Sequence, residues 1–216
     1  MLTTDPNLTE LIVILDASTS MNKVRDEVIE GFNMLIEDQK KLPGECLVTL
    51  IQFSTHGQQR TIFANRDINS IEPLTARTYV IRGWTALRDA IGSTIDKVGI
   101  RLAGMLPAHR PSKVIFAIMT DGEENDSEKY SPPRVREMVE HQRDAYQWEF
   151  VFTAANQDAC LAGAKLGMDT ALAATYKDSQ RGTRQTFSGI SLATGMLRSG
   201  DRVGACAAVK GIEEKC

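Results

Sequence analysis

The chain has 216 residues, enough for one sizeable α/β domain and short for two. Apolar residues at 42% and charged residues at 25% are ordinary globular usage and exclude disordered and fibrous classes. A net charge of -3, with Lys and Arg dispersed through the helical segments, leaves no basic stripe for a phosphate backbone, so no nucleic acid partner is expected.

Met1-Leu2-Thr3-Thr4-Asp5-Pro6 lacks a basic n-region and an apolar h-region, and no apolar run approaches the length of a membrane span. A cytoplasmic protein without membrane contact is the expectation. Leu11-Ile12-Val13-Ile14-Leu15 reads as a buried strand. Residues 22–41 read as a helix with Val24, Val28, Phe32, Leu35 and Ile36 on one face, stopped by Pro43-Gly44. Leu47 to Phe53 is a second strand and Gln59 to Ala64 a third, joined through His56-Gly57 as a hairpin that makes the third an antiparallel edge. The stretch from Asp67 to Gly83 is irregular, with Tyr79-Val80-Ile81 as its one apolar run.

Residues 86–105 carry Leu87, Ile91, Ile95, Val98 and Leu102 at helical spacing, closed by Pro107 and Pro111. Residues 113–120 are apolar almost throughout, the pattern of a central parallel strand covered on both faces. Ser131-Pro132-Pro133 opens a helix to about Tyr146, and Trp148 to Thr153 is the next strand. A small-residue helix over Ala159 to Lys165, a weak strand near Thr170 to Ala173 and a helix over Asp178 to Leu197 continue the alternation. The sum is a single doubly wound, Rossmann-like α/β open sheet, mostly parallel with one antiparallel edge strand and helices on both faces, over residues 8–198. Residues 199–216, rich in Gly and Ala, are expected to be a flexible tail.

Three segments carry chemistry. Asp16-Ala17-Ser18-Thr19-Ser20 follows the first strand and sets a carboxylate and two hydroxyls at alternating positions, a half-site for a hard cation. Thr85 opens the helix after Arg82-Gly83-Trp84, and Asp121 follows the apolar strand ending at Thr120. In an open parallel sheet these positions meet at the carboxyl ends of the strands. Two carboxylates and three hydroxyls, with no thiolate or imidazole, select Mg²⁺, Mn²⁺ or Ca²⁺ over zinc or copper. Mg²⁺ is the default in cytoplasm.

The order Asp-x-Ser-x-Ser, Gly-x-Thr-Ala-Leu, then apolar strand-Thr-Asp-Gly resembles the von Willebrand factor type A domain family and its metal-ion-dependent adhesion site, over roughly residues 8–170. The resemblance implies that Asp16, Ser18, Ser20, Thr85 and Asp121 form the ligand set. Ser18 and Ser20 would bind the metal directly, Asp16 and Asp121 directly or through water, and Thr85 would change its contact when ligand binds. It also implies a protein-binding, adaptor or adhesion-type module, not an enzyme, in which a partner's Glu or Asp completes the metal shell. The rival is a metal-dependent hydrolase or phosphatase using Asp16, but Arg82 and Arg88 are the only basic side chains that flank Thr85, and no Lys is placed at the site.

Several residues have simpler readings. Ser20 is an acceptable helix N-cap. Glu123, Glu124, Asp126 and Glu128 read as a solvated loop, with a second cation site or specificity rim as the alternative. Asn156-Gln157-Asp158 reads as a helix cap, Trp84 as a core anchor with a rim aromatic as the alternative, and His56, His109 and His141 as surface histidines. Cys46, Cys160, Cys206 and Cys216 show no metal spacing and read as structural thiols, with a Cys206–Cys216 bridge as the alternative.

Overall fold

The computed structural model describes residues 4–155 and 157–215, apart from the side chains of residues 214 and 215. Its elements run β1 (Asp5–Asp16), α1 (Arg25–Lys40), β2 (Glu45–Phe53), β3 (Arg60–Asp67), α2 (Leu87–Ala103), β4 (Pro111–Thr120), α3 (Pro132–Tyr146), β5 (Glu149–Ala155), α4 (Ala159–Lys165), β6 (Ala173–Tyr176), α5 (Gln180–Ser199) and α6 (Arg202–Lys215). The six strands lie in the order β3-β2-β1-β4-β5-β6. Only β3 runs antiparallel, against β2.

Alternation along the strands sorts the core into two layers. Leu11, Val13 and Leu15 of β1 face Phe32 and Leu35 of α1 and Phe187 of α5, whereas Ile12 and Ile14 face Ile91 and Ile95 of α2. Each such side chain, once buried, contributes about 1.5–3 kcal/mol. The close approach of α1 and α5 needs Gly31, because a Cβ there would lie 2.2 Å from Phe187 Cδ2. Phe116, Trp148 and Phe150 stack in the second layer, with Phe116 and Phe150 centroids 4.8 Å apart.

The Gly and Ala-rich stretch expected to be a flexible tail is instead helix α6. Ala205, Val209 and Ile212 recur at helical spacing and are buried against α5 and β6, and α6 packs closely because Gly189 of α5 has no Cβ, which would lie 2.3 Å from Ile212 Cγ1. Glu213 accepts the backbone N–H of Thr175 at 2.9 Å, satisfying a donor on edge strand β6. That strand lies at Ala173–Tyr176, three residues later than expected, because Asp169 caps a 3-10 turn over Thr170–Leu172. Among the described residues, no helix is long and apolar enough to cross a membrane.

Candidate metal centre

The strand order reverses between β1 and β4, and both central strands end in a carboxylate there. Asp16 is the last residue of β1, and Asp121 follows the last residue of β4. Parallel register pairs Leu15 with Met119, which puts Asp16 beside Thr120. Asp16 is fully buried; its Oδ1 accepts the Ser18 N–H at 2.7 Å and its Oδ2 the Thr120 hydroxyl at 2.6 Å. The first-loop hydroxyls then line up toward the second carboxylate. Ser18 Oγ lies 3.0 Å from Ser20 Oγ, and Ser20 Oγ donates to Asp121 Oδ1 at 2.7 Å. The hydroxyl of Ser20 is therefore engaged with Asp121, and the turn after Ser18 forms with no side-chain cap.

Thr85 arrives on a rigid loop. Gly83 takes φ +73°, and a Cβ there would meet Thr55 Oγ1 at 2.2 Å. Its carbonyl accepts Thr19 N at 3.1 Å, while Trp84 N donates to Thr55 Oγ1 at 2.9 Å. Ser18, Ser20, Thr85, Trp84 and Asn125 line one cleft of about 520 Å³, so four of the five candidate ligands are tied to one place by this cleft and the Ser20–Asp121 bond. Asp16 sits behind them, bonded to Ser18.

In the acidic stretch after Asp121, Glu123 and Glu128 are exposed as a solvated loop would be, whereas Glu124 and Asp126 are tied to backbone N–H groups. Glu124 accepts the N–H groups of Arg88, Asp126 and Ser127 at 2.8, 2.9 and 2.8 Å, which also caps the first turn of α2. Asp89 accepts the N–H groups of Glu128, Lys129 and Tyr130 and pairs with His56 Nδ1 at 2.8 Å. Burial would push the Asp89 carboxyl up, but those backbone bonds and His56 together hold it below the usual carboxylate range. His56 is thus a half-buried clamp rather than an ordinary surface histidine. Glu123 remains exposed.

Electrostatics favour a cation. Burial pushes the Asp16 carboxyl up to about 6, against the lowering effect of its bonds from Thr120 and Ser18, and the charge of Asp121 raises it further. Burial also raises Asp121, with Asp178 adding to the rise and the Ser20 bond opposing it. Asp178, ion-paired with Lys23, is thus a third acid near the site that sequence spacing did not single out. Among the described residues no three His, Cys, Asp or Glu side chains form a metal-holding group; the candidate donor set is two carboxylates and three hydroxyls. That oxygen-only set, with its buried acids, fits a hard divalent ion.

Two buried tyrosines complete the scaffold. The Tyr79 hydroxyl donates to the Asp16 carbonyl, and that of Tyr176 to the Thr120 carbonyl at 3.1 Å. Burial raises both phenols well above their ordinary value. Tyr79 belongs to the one apolar run of the irregular segment, the only signal sequence offered for it. Gln157 Nε2 donates to the Gly122 carbonyl at 2.9 Å, and Asp158 caps α4 at Leu161 N. Asn156 of that predicted cap and Cys216 of the possible bridge lie outside the described residues. Trp84 is not a core anchor: it is 66% exposed at the cleft rim, because Gly83 and Thr55 hold its backbone outward.

The sequence matches no family model and no curated protein. Solved structures do match. VWA2, an ArnB paralog from Sulfolobus acidocaldarius, aligns at TM-score 0.53 and 18% identity, over 84% of this chain and 44% of that one. Proximal thread matrix protein 1 from the mussel byssus aligns at TM-score 0.56 and 13% identity, over 93% and 47%. The same mussel protein with a zinc-occupied MIDAS motif aligns at TM-score 0.55 and 14% identity, over 94% and 47%. The chain therefore spans under half the length of these proteins, and the likeness at such identities is one of fold: an α/β, Rossmann-like sheet of the von Willebrand factor A type.

Proposed function

We propose that this chain is a metal-dependent protein-binding module that holds Mg²⁺ at Asp16, Ser18, Ser20, Thr85 and Asp121 and captures a Glu or Asp side chain of a protein partner. The observation that carries this reading is the hydrogen-bonded run at the topological switch point, in which Ser18 N–H donates to Asp16, Ser18 Oγ meets Ser20 Oγ, and Ser20 Oγ donates to Asp121. Two carboxylates balance a divalent ion, and hydroxyls add little charge, so the ion stays attractive to a further anion. Mn²⁺ or Ca²⁺ would satisfy the same donors. The zinc-occupied MIDAS motif of the mussel protein supports the reading for a domain of like fold.

A binding role is also favoured over hydrolysis by the fate of Arg88. Its Nε and Nη2 donate to the carbonyls of Tyr130 and Ser127, which ties the guanidinium to the 127–130 loop and supports a structural role over that of a clamp for a transferred group. Among the described residues Cys46, Cys160 and Cys206 form no disulfide, and a reducing, cytoplasmic setting is part of the proposal. Calorimetric titration with Mg²⁺ and Mn²⁺ tests the proposal: the wild type should bind one ion, and Asp121→Ala should lose it while keeping its circular dichroism. Unchanged ion binding in that variant would refute the site. Partner capture that persists in chelator would refute the metal-dependent mechanism.

A further inference from the structure

The cleft holds one side chain whose hydrogen bonding is half used. Asn125 and Thr85 pair reciprocally: Asn125 N donates to the Thr85 carbonyl at 3.1 Å, and Thr85 N donates to Asn125 Oδ1 at 2.9 Å. The partner of Oδ1 is an N–H, so the amide orientation is fixed by chemistry; a flipped amide would set two donors against each other. The other end of the amide, Nδ2, has no hydrogen-bond partner among the described residues. Asn125 is itself exposed and lines the cleft beside Ser18, Ser20 and Thr85. An amide donor is thus available on a residue that lines the cleft of the candidate ligands.

Asn125 is also unusually well braced for a residue in an exposed loop. Its neighbour Glu124 is bonded to three backbone N–H groups. Asp126 Oδ2 accepts the His56 N–H at 2.5 Å. Those bonds hold the backbone on either side of Asn125, and the bond from Thr85 N holds its Oδ1.

We propose that Asn125 reads the partner's carboxylate: when one carboxylate oxygen binds the metal, Nδ2 donates to the other. The inference rests on the metal-dependent reading above and specifies its ligand chemistry. It makes Asn125 a specificity residue, because a partner amide would place its own NH2 or a weaker acceptor where a carboxylate offers a charged one. A neutral donor to a charged acceptor is the stronger class of hydrogen bond.

The test separates recognition from support of Thr85. Asn125→Asp keeps an Oδ1 acceptor for Thr85 N but replaces the donor by a second carboxylate oxygen, which repels an incoming carboxylate. Asn125→Ala removes both functions. The probe is N-acetyl-glutamate amide, with N-acetyl-glutamine amide as control, titrated in Mg²⁺ and followed by the NMR signals of the Asn125 side-chain amide and the Trp84 indole. Mg²⁺ affinity is measured separately by calorimetry. The expected result is Mg²⁺-dependent binding of the glutamate probe with a shift of the Asn125 amide, and a loss of about tenfold or more in Asn125→Asp while that variant still binds Mg²⁺. Equal probe affinity in wild type and Asn125→Asp would overturn the inference and leave metal-dependent capture standing. Mg²⁺ binding by the wild type without any carboxylate binding would overturn both.

Discussion

The hydroxyl of Thr120 donates a 2.6 Å hydrogen bond to Asp16 Oδ2 and so ties the last residue of β4 to the last residue of β1. The bond crosses the point where strand order reverses, and it holds a fully buried carboxylate in one orientation. Thr120→Val keeps the shape and removes the donor. In chelator at pH 7 this variant should lose about 2 kcal/mol in urea unfolding, the contribution of a hydrogen bond to a charged group. Its Mg²⁺ affinity should fall as well. Unchanged stability and affinity would mean that Asp16 is oriented by Ser18 N alone.

Asp16 also predicts a pH dependence. Its carboxyl is raised from the ordinary 3.8 to about 6 by burial, so the folded state binds this proton more tightly than the unfolded chain. The stability from this group is fully present below pH 3.8 and is lost as pH rises through about 6. The loss is on the order of 3 kcal/mol. In chelator, Asp16→Asn should therefore be more stable than the wild type at pH 7, and its urea midpoint should change less between pH 4 and pH 7. Mg²⁺ should stabilise only the wild type, with apparent affinity falling in acid as protons compete for the ligand. A wild type that outlasts Asp16→Asn in chelator at pH 7 would refute the burial argument.

The strands and long helices were legible because apolar periodicity reports burial directly: β1 and β4 read as buried runs, and Leu87, Ile91, Ile95 and Val98 marked the buried face of α2. The five candidate ligands were legible because each sits at a strand end or helix start. What was hidden depends on contacts across many residues. Asn125 finds Thr85 forty positions away, and Tyr79 reaches Asp16 across sixty-three. Glu124 and Asp126 looked as solvated as Glu123 and Glu128 because their charge is visible in sequence and their backbone partners are not. Helix α6 was read as a tail because Gly200, Gly204 and Gly211 lower local helix propensity, and the packing on α5 that compensates is tertiary.

At the other end of the sheet, Glu10 has no solvent exposure and pairs with Arg101 of α2, while its Oε2 has no hydrogen-bond partner among the described residues. Burial raises its carboxyl, and Arg101 opposes the rise. Arg101→Ala would leave a buried charge without compensation and should cost up to about 3 kcal/mol, the lower end of the range for broken buried pairs because Arg101 is partly exposed. The deficit should grow as pH rises above the ordinary carboxylate range and Glu10 is forced to ionise. Adding Glu10→Gln should recover most of it. A deficit that is flat with pH, or a double variant no better than the single, would show that Arg101 acts through packing.

Gly83 sets where Trp84 and Thr85 sit, and its conformation leaves no room for a side chain. At φ +73° an Ala is strained by roughly 1 kcal/mol, and its Cβ would lie 2.2 Å from Thr55 Oγ1. Thr55 would have to release Trp84 N, the bond that holds the loop's backbone over the cleft at 2.9 Å. The loop is at the surface and the core layers do not include it, so Gly83→Ala should fold with only a small loss of stability. Its effect should fall on Thr85, the one candidate ligand that arrives on this loop. Mn²⁺ affinity, followed by paramagnetic relaxation of water, should weaken several-fold, while the buried Trp148 keeps its emission and the exposed Trp84 changes its quenching by acrylamide. Full Mn²⁺ affinity in a variant with altered Trp84 quenching would remove Thr85 from the ligand set and leave the ion to Asp16, Ser18, Ser20 and Asp121.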